Sequence, residues 1–170
     1  MSTSRRAPTQ PCLGGLRAAR GAGPLCEEII RWCARRSLAS QLDLADQVPS
    51  AEMPACLNGL DLLVLPSLSR PNWQEQFGRV LVEAMACEVP VISSNAGGLS
   101  EVNIHGVTGY LQDPGDVDGM AAHAIELLEN PDLLARFRKQ AYEQARRFRI
   151  EQILPEYEAL YEKVLLGVNV

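Results

Sequence analysis

The feature that most limits how this chain can fold is a pair of short, wholly apolar runs with a helical segment between them. Asp61-Leu-Leu-Val-Leu-Pro66 and Val89-Pro-Val-Ile-Ser93 show no alternation of polar and apolar residues. Such a run reads as a strand buried on both faces, as strands of a parallel sheet are. Residues 77–87, between the two, carry a helical pattern. The turn Asn95-Ala-Gly-Gly98, a brief helix over 99–103 and a third short run, Gly109-Tyr-Leu111, follow. Strands alternating with helices predict an α/β fold, a Rossmann-like parallel sheet flanked by helices. Ligands of such sheets bind beyond the carboxyl ends of the strands, in loops that lead into helices. The loops to inspect are therefore residues 67–78 and 93–101.

The rest of the chain fits the same plan. Pro24 suits a first helical position. Ile29, Ile30, Cys33 and Ala34 share one face of a helix that ends near Ser37. Residues 41–45 read as a short strand, and residues 52–58 as a brief helix closed by Gly59. The C-terminal third is helical. Asp116 caps a helix carrying Met120, Ala124, Ile125 and Leu128. Asn130-Pro131-Asp132 opens the next, with Pro at the first helical position. Leu134, Phe137, Ala141, Ala145 and Phe148 form its apolar stripe. A last helix over 150–165 holds Ile153, Leu154, Tyr157, Leu160, Tyr161 and Val164. If its apolar face is left uncovered, self-association follows.

A length of 170 residues predicts one domain. The net charge of −5 argues against nucleic acid as the main partner. Charge is uneven, with seven Arg and two Glu in residues 1–40 against nine basic and nineteen acidic residues thereafter. Residues 1–20 are accordingly expected to be a basic, disordered arm, and residues 21–170 the folded domain. The five cysteines form no C-x-x-C, so no disulfide or zinc framework is readable and a reducing cytoplasm is expected. No apolar run reaches the roughly 18 residues of a membrane span, and the Arg-containing start lacks the apolar stretch of a secretory signal.

The chemistry concentrates at Glu75 and Glu83, an E-x7-E pair. Glu83 is the sole charge in Val-Leu-Val-Glu-Ala-Met-Ala-Cys, residues 80–87, so its carboxylate is expected to be buried and in need of donors. A ribose 2′,3′-diol supplies two; an Arg partner or a backbone cap would serve as well. Along a continuous helix the pair would lie about 12 Å apart, near the span of a nucleoside diphosphate sugar. Between them the helix start at Gly78, Arg79 and Val80 offers free amides and a positive dipole end to a diphosphate. Gly97-Gly98 offers backbone amides to phosphate or sugar hydroxyls, or is simply a tight turn. His105 and His123 have no catalytic partners in sequence and are read as structural. No H-E-x-x-H or His/Cys cluster calls for a metal.

At these residues the chain resembles a known family. Glu-Gln-Phe-Gly-Arg-Val-Leu-Val-Glu-Ala-Met-Ala-Cys-Glu-Val-Pro-Val-Ile, residues 75–92, resembles the signature of the family-4 retaining glycosyltransferases of the GT-B fold. Residues 95–111 match the next block of that family, and Gly21-Ala-Gly-Pro-Leu25 is similar to its Gly-Asp-Gly-Pro-Leu. Residues 88–161 are most similar to the N-acetylglucosaminyl-malate synthases of bacillithiol synthesis. Residues 70–81 look more like sugar transferases of surface-polysaccharide pathways, so the acceptor stays open. The resemblance implies one half of a GT-B fold, the C-terminal domain that binds the donor, a UDP- or GDP-linked sugar. It implies that Glu75 orients the donor sugar as the catalytic carboxylate and that Glu83 holds the ribose. Gly78, Arg79 and Val80 would meet the diphosphate, Gly97 and Gly98 would line the sugar side, and residues near Val48-Pro49 would lie by the base. It further implies a metal-independent, same-face displacement with no cofactor. Glu88 stands where the family usually has Gly, Ser100 where Pro is common and Ala22 where Asp is usual. Residues 1–20 do not resemble the family segment whose Arg and Lys clamp the diphosphate. The acceptor-binding N-terminal half is expected on a separately encoded partner, and the chain to be incomplete alone. A catalytically inactive nucleotide-binding remnant and a generic α/β interaction module remain as alternatives.

Overall fold

The computed structural model describes residues 17–20, 23, 25–45 and 48–167. Its chain divides into two compact units, Met1–Cys56 and Leu57–Val170.

In the first unit β1 (Arg17–Arg20) pairs in parallel with β2 (Leu42–Ala45), Arg17 opposite Leu42. Helix α1 (Cys26–Arg35) makes the crossover. It ends where Ser37 takes a positive φ of 57°, and Leu38 donates back to the Cys33 carbonyl at 2.9 Å. Residues 17–20, at the end of the expected basic arm, form this strand, and Arg-Ala-Ala-Arg, with no apolar run, left no mark of it in the sequence. Residues 1–16, Gly21, Ala22 and Pro24 lie outside the described residues. Helix α1 buries only Cys33. Helix α2 (Met53–Asn58) starts where the Glu52 and Met53 amides both donate to the Pro49 carbonyl.

The second unit holds a three-stranded parallel sheet in the order β3 (Leu63–Leu65), β4 (Val91–Ser94), β5 (Gly109–Gln112). Helix α3 (Arg79–Ala86) links β3 to β4, and the single-turn α4 (Leu99–Val102) links β4 to β5. The helices α5 (Val117–Glu129), α6 (Pro131–Ala145) and α7 (Ile150–Leu165) follow. Central β4 is buried at all four residues, as its run predicts. β3 is not. It is an edge of this sheet, and Val64 is 43% exposed. An apolar run reports that a strand is in a sheet, not how many neighbours cover it.

Ile92 of β4 packs with Tyr110 of β5, Met120 and Leu127 of α5, and Phe137 of α6. On α3, Leu81, Ala84 and Met85 are fully buried. The helix starts follow their caps. Asp116 accepts from Gly119 N at 2.9 Å. Asn130 accepts from Leu133 N at 3.0 Å, with Pro131 opening α6. Arg138 reaches from α6 to Asp61, just ahead of β3, at 2.7 Å. Helix α7 differs from all of these: it buries no residue, and Ile150, Leu154, Tyr157, Tyr161 and Val164 are exposed.

Candidate functional site

Residues 66–78 carry the chain from the carboxyl end of β3 to α3. At the end of this loop Gly78 adopts φ 70°, ψ 53°, the left-handed region that glycine enters without steric cost. A Cβ there would also collide with Leu99 Cδ2. Helix α3 therefore starts at Arg79, two residues later than the pattern predicts. The first-turn amides of Arg79 and Val80 have no helical carbonyl one turn back.

Glu75 turns toward this helix start. Its Oε1 accepts from Gly78 N at 3.2 Å, leaving its other carboxylate oxygen open to a ligand. The turn after β4 rises against the same segment, and Gly98 N donates to the Glu75 carbonyl at 3.2 Å. Gly97 has φ 57°, and a Cβ on it would overlap the Glu75 carbonyl oxygen. A Cβ on Gly98 would meet the Gln76 carbonyl in the same way. Glu75, Gly78, Gly97 and Gly98 are thus gathered at the carboxyl ends of β3 and β4. The three glycines are first of all what lets two loops touch.

Glu83 is one turn into α3 and about one-third exposed, with its Oε1 3.1 Å from Arg79 Nε. The expectation of a buried carboxylate is corrected: the α3 face at Glu83 is open to solvent, and its neighbour is the arginine that the sequence allowed as an alternative. An exposed i,i+4 pair of this kind contributes roughly 0.3–0.5 kcal/mol, weak enough for a ligand to displace. The 12 Å separation also does not carry over, because it assumed one continuous helix. Only Arg79 to Glu83 is helical, a rise of about 6 Å, and Glu75 folds back onto the helix start. Val48 and Pro49 belong to the first unit.

Behind the turn lies a polar cluster that the sequence reading missed. Asn103 is fully buried. Its Nδ2 donates to Ser93 Oγ at 3.0 Å and to the Tyr110 carbonyl at 2.9 Å. Thr108 Oγ1 donates to Asn103 Oδ1 at 2.9 Å and accepts from Ile104 N at 2.8 Å. These bonds lock the segment between β4 and β5, and Asn95 N adds one to the Gln112 carbonyl at 2.6 Å. An amide placed just after a short helix, ahead of Val-Thr-Gly, was the available signal.

The two histidines are packing residues. His123 stacks on Tyr110 at 3.8 Å between centroids, 11° from parallel, and His105 Nδ1 lies 3.1 Å from Leu111 N. Glu126 is held below the ordinary carboxylate range by its hydrogen bond to His123 and a second to Tyr110. Burial, then that same bond, pushes the Tyr110 hydroxyl up. Among the described residues no three His, Cys, Asp or Glu side chains come together as a metal site. No helix there is long and apolar enough to cross a membrane.

With this geometry in place, comparison with known proteins is decisive. Residues 15–144 match the family "Glycosyl transferases group 1". The chain belongs to this family. It is 48% identical over 96 residues to N-acetyl-alpha-D-glucosaminyl L-malate synthase of Bacillus anthracis, covering 54% of the chain and 24% of that protein. It is 34% identical over 161 residues to D-inositol 3-phosphate glycosyltransferase of Thermobispora bispora, covering 86% and 36%. Among solved structures, Anabaena Alr3699/HepE in complex with UDP superposes with a TM-score of 0.77 at 26% identity, covering 88% of the chain and 41% of that one. The fold is thus one half of the GT-B fold, and the chain spans well under half the length of these relatives.

Membership in the group 1 glycosyltransferases also explains a departure in sequence. Glu88, where the family usually has Gly, sits at φ 57°. The tight exit from α3 into β4 demands a left-handed residue, which Gly supplies at no steric cost.

Proposed function

We propose that this chain is the donor-binding half of a retaining glycosyltransferase and that its ligand is a nucleoside diphosphate sugar, UDP- or GDP-linked. One observation carries the reading. The Glu75 carboxylate, the start of α3 and the Gly97-Gly98 turn converge at the carboxyl ends of two parallel strands, with Glu83 one turn further on. That ligand sites of open α/β sheets lie at such strand ends supports it.

In this reading the diphosphate lies on the Arg79 and Val80 amides, with the helix dipole and the Arg79 guanidinium opposing its charge. Glu83 exchanges Arg79 for the ribose diol. Glu75 keeps its bond to Gly78 N and uses its other oxygen to fix a hydroxyl of the donor sugar. Gly97 and Gly98, close against the Glu75 segment, line the sugar with backbone. The protein supplies position and charge stabilisation for the leaving diphosphate, and the acceptor attacks from the face the diphosphate leaves. The reading needs no metal. A second half, on a partner chain or on a longer form of this one, supplies the remaining acceptor contacts.

Calorimetry with UDP, GDP and ADP tests this. At least one binds the folded chain, and heat from none of them overturns the reading. Glu83→Ala weakens that nucleotide more than Glu75→Ala does, because UDP and GDP carry the ribose and lack the sugar. The reverse order means that the two roles are exchanged.

A further inference from the structure

Upstream of Glu75 the same loop forms a feature that the donor reading does not use. Pro66, Ser67, Leu68, Arg70, Asn72 and Trp73 line an open concavity of about 590 Å³, within the usual range for small-molecule sites. Its outer wall is a closed turn. Arg70 N donates to the Trp73 carbonyl at 2.8 Å, and Trp73 N donates back to the Arg70 carbonyl at 3.1 Å. Such a reciprocal antiparallel pair puts both side chains on one face, with Cα atoms about 5.5 Å apart. Pro71 stiffens the turn between them.

Both side chains are unspent. Trp73 is 51% exposed. No carboxylate of the described residues reaches the Arg70 guanidinium, and it does not stack on the indole. An exposed indole and a guanidinium without a carboxylate partner thus share one face of a stiff turn at the rim of a concavity. The indole suits the apolar face of a pyranose ring. The guanidinium suits a carboxylate or phosphate on that ring, held by two parallel hydrogen bonds. Asn72 and Ser67 add polar groups for hydroxyls.

We propose that the Arg70–Trp73 turn is an acceptor-side subsite for an anionic hexose, its ring on Trp73 and its carboxylate or phosphate on Arg70. The turn closes two residues ahead of Glu75, which keeps a ring held there near the carboxylate assigned to the donor sugar. The proposal rests on that assignment.

Ligand-observed NMR on the full chain tests it, with glucuronate, glucose 6-phosphate, glucose and inorganic phosphate as probes. At least one anionic hexose binds, and it identifies which anion is read. Glucose binds about tenfold more weakly, the difference of one charge-assisted pair. Arg70→Ala removes that difference, and Trp73→Ala weakens all the sugars. Both residues are exposed, and each variant is checked for an unchanged fold by its nucleotide affinity. A saturating nucleotide sugar leaves hexose binding in place. Equal binding of glucose and the anionic hexoses overturns the proposal. So does inorganic phosphate that binds as tightly as the sugars, or displacement of the hexose by the nucleotide sugar. If a nucleotide binds and no hexose does, the subsite fails alone. If hexose binds and no nucleotide does, the donor reading fails and takes the acceptor assignment with it.

Discussion

Two loops leave the carboxyl ends of neighbouring strands and meet at the same point, yet they are built in opposite ways. The loop after β4 is short, residues 95–98, and sits on a buried polar network. The loop after β3 is long, residues 66–78, and carries Leu68, Trp73 and Phe77 into solvent. The first is a scaffold that fixes where backbone amides stand. The second presents side chains. Sites that bind a common core with variable partners need both kinds, since precision comes from rigid elements and selectivity from what is displayed on them.

The contrast predicts that substitutions in the short loop cost stability and those in the long loop cost binding. The largest effect is expected at Gly97. Alanine there meets the Glu75 carbonyl and must hold a left-handed φ. Strain and overpacking together come to roughly 3 kcal/mol, read as a lower midpoint in urea unfolding. A fully stable Gly97→Ala chain would break the comparison at its strongest point.

Asn103→Ala comes next. It removes the Asn103 partner of Ser93 Oγ and of the Tyr110 carbonyl, and leaves Thr108 Oγ1 only its bonds to Ile104. Buried polar groups left without partners cost about 1–3 kcal/mol, and the cost falls on the same segment between β4 and β5. Native-state hydrogen exchange resolves where. Protection should drop first at residues 93–95 and 109–112 and persist in α6. A uniform loss would mean that the network does not stabilise this segment locally.

Much of this contrast was legible in the sequence. β4 announced itself because it is covered on both faces, and an unbroken apolar run has no other economical reading. The caps at Asp116 and Asn130 were legible because each is a local event settled within three residues. Glu75, Gly78, Gly97 and Gly98 were singled out in the sequence and lie together at the strand ends. What stayed hidden depends on distance. β1 carries no apolar pattern, and its pairing with β2 lies across a helix, beyond the reach of any local signal. The Asn103 network joins residues up to ten positions apart. Helix α3 starts after the left-handed turn at Gly78, where Leu99 leaves no room for a Cβ, a proximity that no local pattern encodes. Glu83 was expected to be buried because its neighbours are apolar. Only Leu81, Ala84 and Met85 are buried, and Glu83 lies with Val80 and Val82 on the partly open side, because a helix beside a three-stranded sheet keeps one face open.

A smaller effect lies at the exit of α3. Glu88 holds φ 57°, which costs a non-glycine residue about 1–2 kcal/mol. Glu88→Gly is expected to return about 1 kcal/mol, because the glycine also adds entropy to the unfolded chain. Thermal unfolding reads it as a raised Tm with nucleotide affinity unchanged. A lowered Tm would mean that the Glu88 side chain contributes more than its backbone costs.

The smallest effect is a pH dependence on the scaffold side. Glu126 is held below its ordinary value of 4.5, first by the hydrogen bond to His123 and then by that to Tyr110. A carboxylate with a depressed folded-state pKa adds stability above its unfolded pKa and loses it as pH falls through the folded value. Wild-type stability should therefore decline below pH 4.5 with a share owed to this residue. Glu126→Gln removes that share, so its urea midpoint starts lower at neutral pH and declines less steeply in acid. Tyr110 belongs to the core cluster around Ile92, and the stack with His123 ties that cluster to Glu126. If the two profiles run parallel from pH 7 to the acid limit, the surface carboxylate is uncoupled from the core and the rigid half of the molecule ends at Tyr110.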